Sequence, residues 1–110
     1  MAVYVDDMHE SALGSYHTLQ MCHMLADSDE ELHAMAARIG VDRRWWQGPD
    51  KATGSHYDLA AEYRALAVQH GASEIGMREA AAMNTRRRLT GELGKPEAAV
   101  AWLLAYWKGR

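Results

Sequence analysis

His56 and Asp58 stand two residues apart in "GSHYDLAAEYRALAVQHGA", where an apolar helical periodicity begins. An imidazole exchanges protons near neutral pH, and a carboxylate can orient it. At a helix entrance the free backbone amides also favour an anion such as phosphate. Asp58 reads chiefly as the N-cap of that helix, a role worth about 1 kcal/mol. His56 reads as the working residue. His23 sits in the apolar run "LQMCHMLAD", with Asp27 four residues on. A histidine there is either a satisfied core residue or a sheet-borne acid or base, since ligands commonly bind at strand ends of α/β sheets. His33 follows Asp29 and Glu30 at the spacing of a helix-surface pair, but lies beside an apolar stripe from which it can lean towards the sheet end. The catalytic set is therefore His23, His56, Asp27, Asp58 and His33.

Asp6 and Asp7 end the run "VYVDD". Adjacent strand side chains face opposite ways, so one of the two is expected to enter a given site. His23, His33, His56 and an aspartate are of types that suit Zn²⁺ or a similar ion, yet their spacings match no local zinc pattern such as HExxH. The sequence therefore assigns no metal ligands and leaves the cofactor unknown. Cys22 adjoins His23, but neighbouring strand residues point apart, so a buried cysteine is expected rather than a nucleophile. No glycine-rich phosphate loop is present. Arg44 and the trio Arg86, Arg87 and Arg88 are the phosphate-binding candidates, because a guanidinium fork matches phosphate geometry. Their bland reading is a solvated positive face. Trp45 and Trp46 are expected to divide between core and surface, with a ring able to stack on a base.

The elements that must position these residues alternate. Val3, Tyr4 and Val5 are strong strand formers. Residues 9–18 read as a loop, and "LQMCHMLAD", residues 19–27, as an inner strand with apolar residues on both faces. "DSDEELHAMAARIG" is the clearest helix. Ser28 and Glu31 make a capping box, Leu32, Met35, Ala36 and Ile39 recur at helical spacing, and Gly40 stops it. A short strand is expected around Arg44–Gln47. A turn-rich loop follows, with breakers at Gly48-Pro49-Asp50 and Thr53-Gly54-Ser55. A helix is expected from about Asp58 to His70, then a strand in "ASEIGM". Residues 77–94 are ambiguous: "REAAAMN" favours helix, and "TRRRLTGELGKP" looks irregular or extended. Pro96 opens a last helix. The pattern predicts a single small α/β domain spanning 1–110, with three to five short strands covered by about three helices. An all-helical fold is the alternative.

Bulk properties narrow the function. At 110 residues the chain suits one domain with one modest core. A hydrophobic content of 48% argues against global disorder, and a net charge of -3 against a general nucleic-acid or membrane-surface binder. A single cysteine precludes an internal disulfide and suits a reducing compartment. No apolar run spans a bilayer and the acidic N-terminus is no signal peptide, so a cytoplasmic location is expected.

Taken in order, "VYVDDM", "CHMLADSDEELHAMAARIG", "WWQG", "HYDL" and "ALAVQHGA" resemble domain-of-unknown-function family 4031, a group of small bacterial and phage proteins. The resemblance covers roughly residues 2–76, with an echo in "RRRLTGELGKPEAAVAWL". The motif it implies carries Asp6, Asp7, His23, Asp27, Glu31 with Leu32-His33, Trp46-Gln47 and His56-Tyr57-Asp58. The loop from Gly48 to His56 is longer than expected for the family. The resemblance implies a shared polar site and names no activity. Trp46, Gln47 and Tyr57 thus join Asp6, Asp7, Arg44 and Arg86–Arg88 as ligand-binding candidates.

The expected function is a His/Asp acid–base hydrolase or transferase acting on a nucleotide-like or phosphorylated small molecule. The alternatives are a non-catalytic protein that sequesters such a ligand, and an oligomeric interaction module built on the aromatic C-terminal helix.

Overall fold

A computed structural model describes residues 2–16, 19–48 and 54–109. The expected breakers at Pro49, Asp50 and Thr53, the end of the first loop at His17 and Thr18, and the facing of Leu19 lie outside the described side chains. The fold is α/β, as its alternation predicts. Strand β1 (Val3–Val5) is followed by two short 3₁₀ turns and β2 (Ser15–Tyr16). The long strand β3 (Leu19–Ala26) leads into α1 (Asp29–Ile39). Then come β4 (Tyr57–Ala60), α2 (Ala61–Gln69), β5 (Ser73–Glu74), α3 (Met77–Thr90) and α4 (Pro96–Lys108).

The mixed sheet runs β4-β3-β1-β5, with β2 added antiparallel to the first residues of β3. β3 pairs antiparallel with β1, placing Val5 opposite Met24 and Tyr4 opposite Leu25. It also pairs antiparallel with β4, placing His23 opposite Asp58 and Cys22 opposite Leu59. β5 joins β1 in parallel.

The two-residue period of these strands makes two apolar layers. Val5, Cys22, Met24, Tyr57 and Leu59 pack with Leu32, Met35, Ala36 and Ile39 of α1. Tyr4 and Leu25, on the opposite face, pack with Ala80, Met83, Leu93, Ala99 and Leu103 from the α3–α4 layer. Burial of each large apolar side chain stabilises the fold by roughly 1.5–3 kcal/mol. The face that carries Tyr4 and Leu25 continues along the strands through Asp6, His23 and Asp58. Its apolar half is roofed by helices, and its polar half forms the site described below.

Three expectations are corrected. Asp58 does not cap a helix: it lies within β4, because Tyr57 and Leu59 are buried in alternation with it and pair with β3. The helix starts at Ala61, and its N-cap Ala60 offers no side chain to the free amides. Arg44–Gln47 is not a strand. Asp42 accepts a hydrogen bond from the Arg44 amide and closes a 3₁₀ turn at Arg43–Trp45, and only Gln47 then bridges to His56. Residues 77–90 form one helix, so the helices number four among the described residues. Its arginines have good helix propensity, and it stops where Gly91 turns left-handed at φ 89°.

The α1 termini follow their sequence signals. Ser28 Oγ accepts from the Glu31 amide at 3.2 Å and donates to the Glu31 carboxylate at 2.9 Å. Gly40 closes the helix at φ 86°. In α4, Ala99 and Leu103 are buried while Leu104, Tyr106 and Trp107 are exposed.

Two measurements check this packing. Ser28→Ala should cost about 1 kcal/mol in urea unfolding, with no change in the slope. Burial pushes the Cys22 thiol up to about 12, so a thiol reagent should label the native protein only at the rate of unfolding and label denatured protein at once. Rapid native labelling would contradict the buried inner strand.

Candidate functional site

The site begins where β1 ends. Asp6 is buried, with 1% of its surface exposed. One of its oxygens, Oδ1, accepts from the His23 amide at 2.9 Å and the Met8 amide at 3.2 Å. The other, Oδ2, accepts from His23 Nδ1 at 2.7 Å. A buried carboxylate needs these donors to offset its lost hydration. On the opposite side of the strand, Arg64 Nε donates to the Asp6 carbonyl at 2.8 Å, and Arg64 Nη1 pairs with Glu74 at 2.9 Å.

A carboxylate only accepts, so His23 Nδ1 carries a hydrogen. In the neutral ring, Nε2 then holds the lone pair. His56 is set in the same way by a different group. Its Nδ1 lies 2.7 Å from the carbonyl of Gly54, another pure acceptor, so His56 Nδ1 also carries hydrogen. Gly54 reaches this position at φ 77°, in a backbone region that suits glycine. Both rings therefore present Nε2 towards one place. Asp58 Oδ1 lies there, 3.4 Å from His56 Nε2 and 3.9 Å from His23 Nε2. The two rings stand edge to face with centroids 5.1 Å apart. Gln47 Nε2 donates to the other Asp58 oxygen and fixes the carboxylate plane.

The electrostatics follow the contacts. Burial alone would push the Asp6 carboxyl up, but the hydrogen bonds and charge of His23 outweigh it and hold Asp6 below the usual range. The hydrogen bond to Asp6 raises His23 above its ordinary value, against desolvation. Asp58 is likewise held low: burial opposes ionisation, and His56, Gln47 and His23 together overcome it. Among the described residues neither carboxylate is paired with a lysine or arginine.

The cluster opens into a cleft of about 880 Å³. Arg44, Trp45, Tyr63 and Gln47 line it beside His23, His56 and Asp58, with Leu13, Met21 and Val41 as apolar wall. The Arg44 guanidinium lies 5.1 Å from the centre of the Trp45 ring, which is 60% exposed.

Several predicted residues stand elsewhere. Asp27, at the far end of β3, accepts from the Ala2 amide at 2.9 Å and does not reach His23. Asp27 follows His23 by four residues of extended chain, which at about 3.3 Å per residue carries it roughly 13 Å away. Asp7 turns away from Asp6 and caps α3, accepting from the Met77 amide at 2.9 Å. His33 bonds the Tyr57 hydroxyl at 2.7 Å and meets the Trp46 ring edge-on, on the α1 side of β4. Burial lowers His33 and raises Tyr57, so both stay neutral near pH 7. Trp46 Nε1 donates to Ser55 Oγ at 2.9 Å, and Ser55 Oγ donates to Asp29 at 2.6 Å. Tyr57 and Trp46 thus support the loop from behind, and the cleft tryptophan is Trp45. Arg87 donates to the Ser55 carbonyl at 2.9 Å and to Asn84 at 2.8 Å, bracing the turn that carries Gly54 and His56. Arg86 and Arg88 lie on α3 and do not line the cleft, so no phosphate clamp forms from the trio. Gly54, Arg64 and Tyr63 were not singled out by sequence. The breaker "TGS" marked a turn, but nothing in it showed a carbonyl aimed at an imidazole.

The Asp6–His23 pair makes a prediction about pH. Asp6 sits below its ordinary value of 3.8, so its stabilisation is present above that pH and is lost as pH falls through the lowered folded value. His23 sits above 6.5, so its share is complete below that pH and is lost as pH rises through the raised folded value. The pair stabilises most between those limits. Among the described residues, Asp58 on β4, His56 just before it and Arg64 on α2 are the other titratable or charged groups beside it. Asp6→Asn should cost roughly 1.5–3 kcal/mol in that window. It should also lower the His23 midpoint in an NMR titration of metal-free protein. An unchanged midpoint would refute the orienting role of Asp6.

Comparison with known proteins gives one result. No curated protein and no solved structure matches. A family model described as "Protein of unknown function (DUF4031)" matches residues 3–87, a span that includes every member of the cluster and ends at Arg87. The chain belongs to domain-of-unknown-function family 4031.

Proposed function

We propose that the protein is a small hydrolase or transferase that acts on a nucleotide-like or phosphorylated small molecule in the cleft beside His23. One observation carries the reading. Two imidazoles, each fixed at Nδ1 by an acceptor, aim Nε2 at the same carboxylate on the wall of a ligand-sized cleft. Cavities of this size commonly hold small molecules, with an apolar lining and a few convergent polar groups. Titratable groups shifted by specific charge partners in a cleft are the usual mark of a functional site.

The chemistry is proton transfer around a displaced bond. In hydrolysis of a phosphoester, a water oxygen bonds to phosphorus and the bond to the leaving oxygen breaks. The proton from water goes to one Nε2, and the other ring, as imidazolium, gives a proton to the leaving oxygen. His23 suits the donor role because Asp6 stabilises its charged form. In transfer, an acceptor hydroxyl replaces the water. Arg44 supplies positive charge at the cleft, and the exposed face of Trp45 offers a surface on which a base can stack. No described helix is long and apolar enough to cross a membrane, and a cytoplasmic setting with a soluble metabolite suits this reading.

A panel of nucleotides and phosphoesters tests it. Purified protein should turn over at least one class. His56→Gln should reduce kcat by about 10²–10⁴-fold, the usual share of positioned acid–base groups. Arg44→Ala should act mainly on KM. Circular dichroism would establish that both variants remain folded. Recovery of every tested ligand unchanged after denaturation would overturn the catalytic reading and leave a binding protein.

A further inference from the structure

We propose that His23, His56 and Asp58 bind a divalent transition-metal ion of the zinc class, through His23 Nε2, His56 Nε2 and Asp58 Oδ1. The inference deepens the reading above by naming the cofactor of the same cleft, and it rests on that reading only for its link to catalysis.

The argument starts from the proton inventory. His23 Nδ1 and His56 Nδ1 donate to a carboxylate and a carbonyl. The neutral form of each ring therefore directs a lone pair, not a hydrogen, towards Asp58. In that form three candidate ligand atoms converge, one from each residue. A hydrogen bond between Nε2–H and the carboxylate would be about 2.7–3.2 Å long. The His56 contact with Asp58, at 3.4 Å, is longer than that, and the His23 contact, at 3.9 Å, is longer still. They approach the edge of a coordination tetrahedron, which is about 3.4 Å for ligand bonds of about 2.0–2.1 Å. One candidate ligand atom from each of the three residues lies within 4.8 Å of the others. The longer separation, His23 to Asp58, exceeds that edge by about half an ångström.

The surroundings match what metal-binding side chains require. A ligating histidine usually donates its second nitrogen to a carboxylate or a backbone carbonyl, and a ligating carboxylate is itself hydrogen-bonded. Here Asp6 serves His23, the Gly54 carbonyl serves His56, and Gln47 serves Asp58. Each ligand thus has its orienting partner on a different segment of the chain. Two imidazoles and one carboxylate are the donor set of open catalytic zinc sites and of related first-row ions, with positions left for water or substrate. Magnesium prefers oxygen donors and should bind poorly. The open position would face the cleft, where a bound water becomes acidic enough to act as the nucleophile near neutral pH. With both Nε2 atoms as ligands, neither imidazole would carry the proton transfers assigned above: the ion would activate the water, and the leaving oxygen would take its proton from solvent.

Untagged protein, stripped with chelator and desalted, provides the test. Calorimetric titration with zinc chloride should show one saturable site per chain, and magnesium chloride should show none. Cobalt(II) should give the visible absorption of a four- or five-coordinate ion. His56→Gln and Asp58→Asn should abolish both signals while remaining folded by circular dichroism. Asp6→Asn should weaken zinc binding about 10–100-fold, as loss of an orienting partner does. Absence of saturable zinc binding, or binding unchanged by His56→Gln and Asp58→Asn, would overturn the inference. The two proposals fail separately. Zinc bound at this site without turnover of the panel supports the metal and removes the enzyme. Turnover by stripped protein that binds no zinc supports the acid–base enzyme and removes the metal.

Discussion

The buried carboxylate of Asp6 is the constraint on which the site depends. It ends β1, receives the backbone of β3 through the His23 amide, and holds the His23 ring by the same side chain. A charge this deep is tolerated only with its hydrogen bonds satisfied, and removing a partner leaves it uncompensated. Strand pairing, the turn after β1 and the orientation of one imidazole are therefore coupled through a single residue. Arg64 secures the same point from α2 through the Asp6 carbonyl and ties it to Glu74 on β5.

The second constraint is register. β4 places Asp58 opposite His23, and the period of the strand brings His56 to the same face two residues earlier. A shift of one residue would exchange these groups for Tyr57 and Leu59 and bury charge in the α1 layer. The apolar pattern of β4 thus protects the chemistry: Tyr57 and Leu59 enter the core because His56 and Asp58 cannot. Between them, Tyr57 bonds His33 and stiffens the strand from behind.

These relations explain how far the sequence was legible. The α1 helix could be read from Ser28, Glu31 and Gly40 because its signals are local. β3 was legible because its run is apolar on both faces. Asp58 was mistaken for a cap because an aspartate before a helical stripe carries the same local signature as one in a short strand joined directly to a helix. The difference lies in β3, which supplies the partner hydrogen bonds. Asp27 seemed paired with His23 because four residues suggest proximity, which holds on a helix and fails on a strand. The arginine trio could not be divided by type: Arg87 is placed by the Ser55 carbonyl, a long-range contact. The convergence of His23, His56 and Asp58 was invisible to motif spacing because their nearness comes from strand pairing.

The two apolar layers then have unequal tasks. The α1 layer buries the back of β3 and β4 and sets the register. The α3–α4 layer covers Tyr4 and Leu25 on the face that bears the site, and further along that face His23 and Asp58 line the cleft. α3 also reaches the site loop through Arg87, whose bond to the Ser55 carbonyl lies one residue from both Gly54 and His56. α4 follows the family-matched residues, yet Ala99 and Leu103 complete the layer that holds α3 in place. The position of the Gly54 carbonyl, and with it the tautomer of His56, is thereby linked to packing on the helices. The site is assembled from one sheet face whose apolar half anchors the helices and whose polar half they leave open.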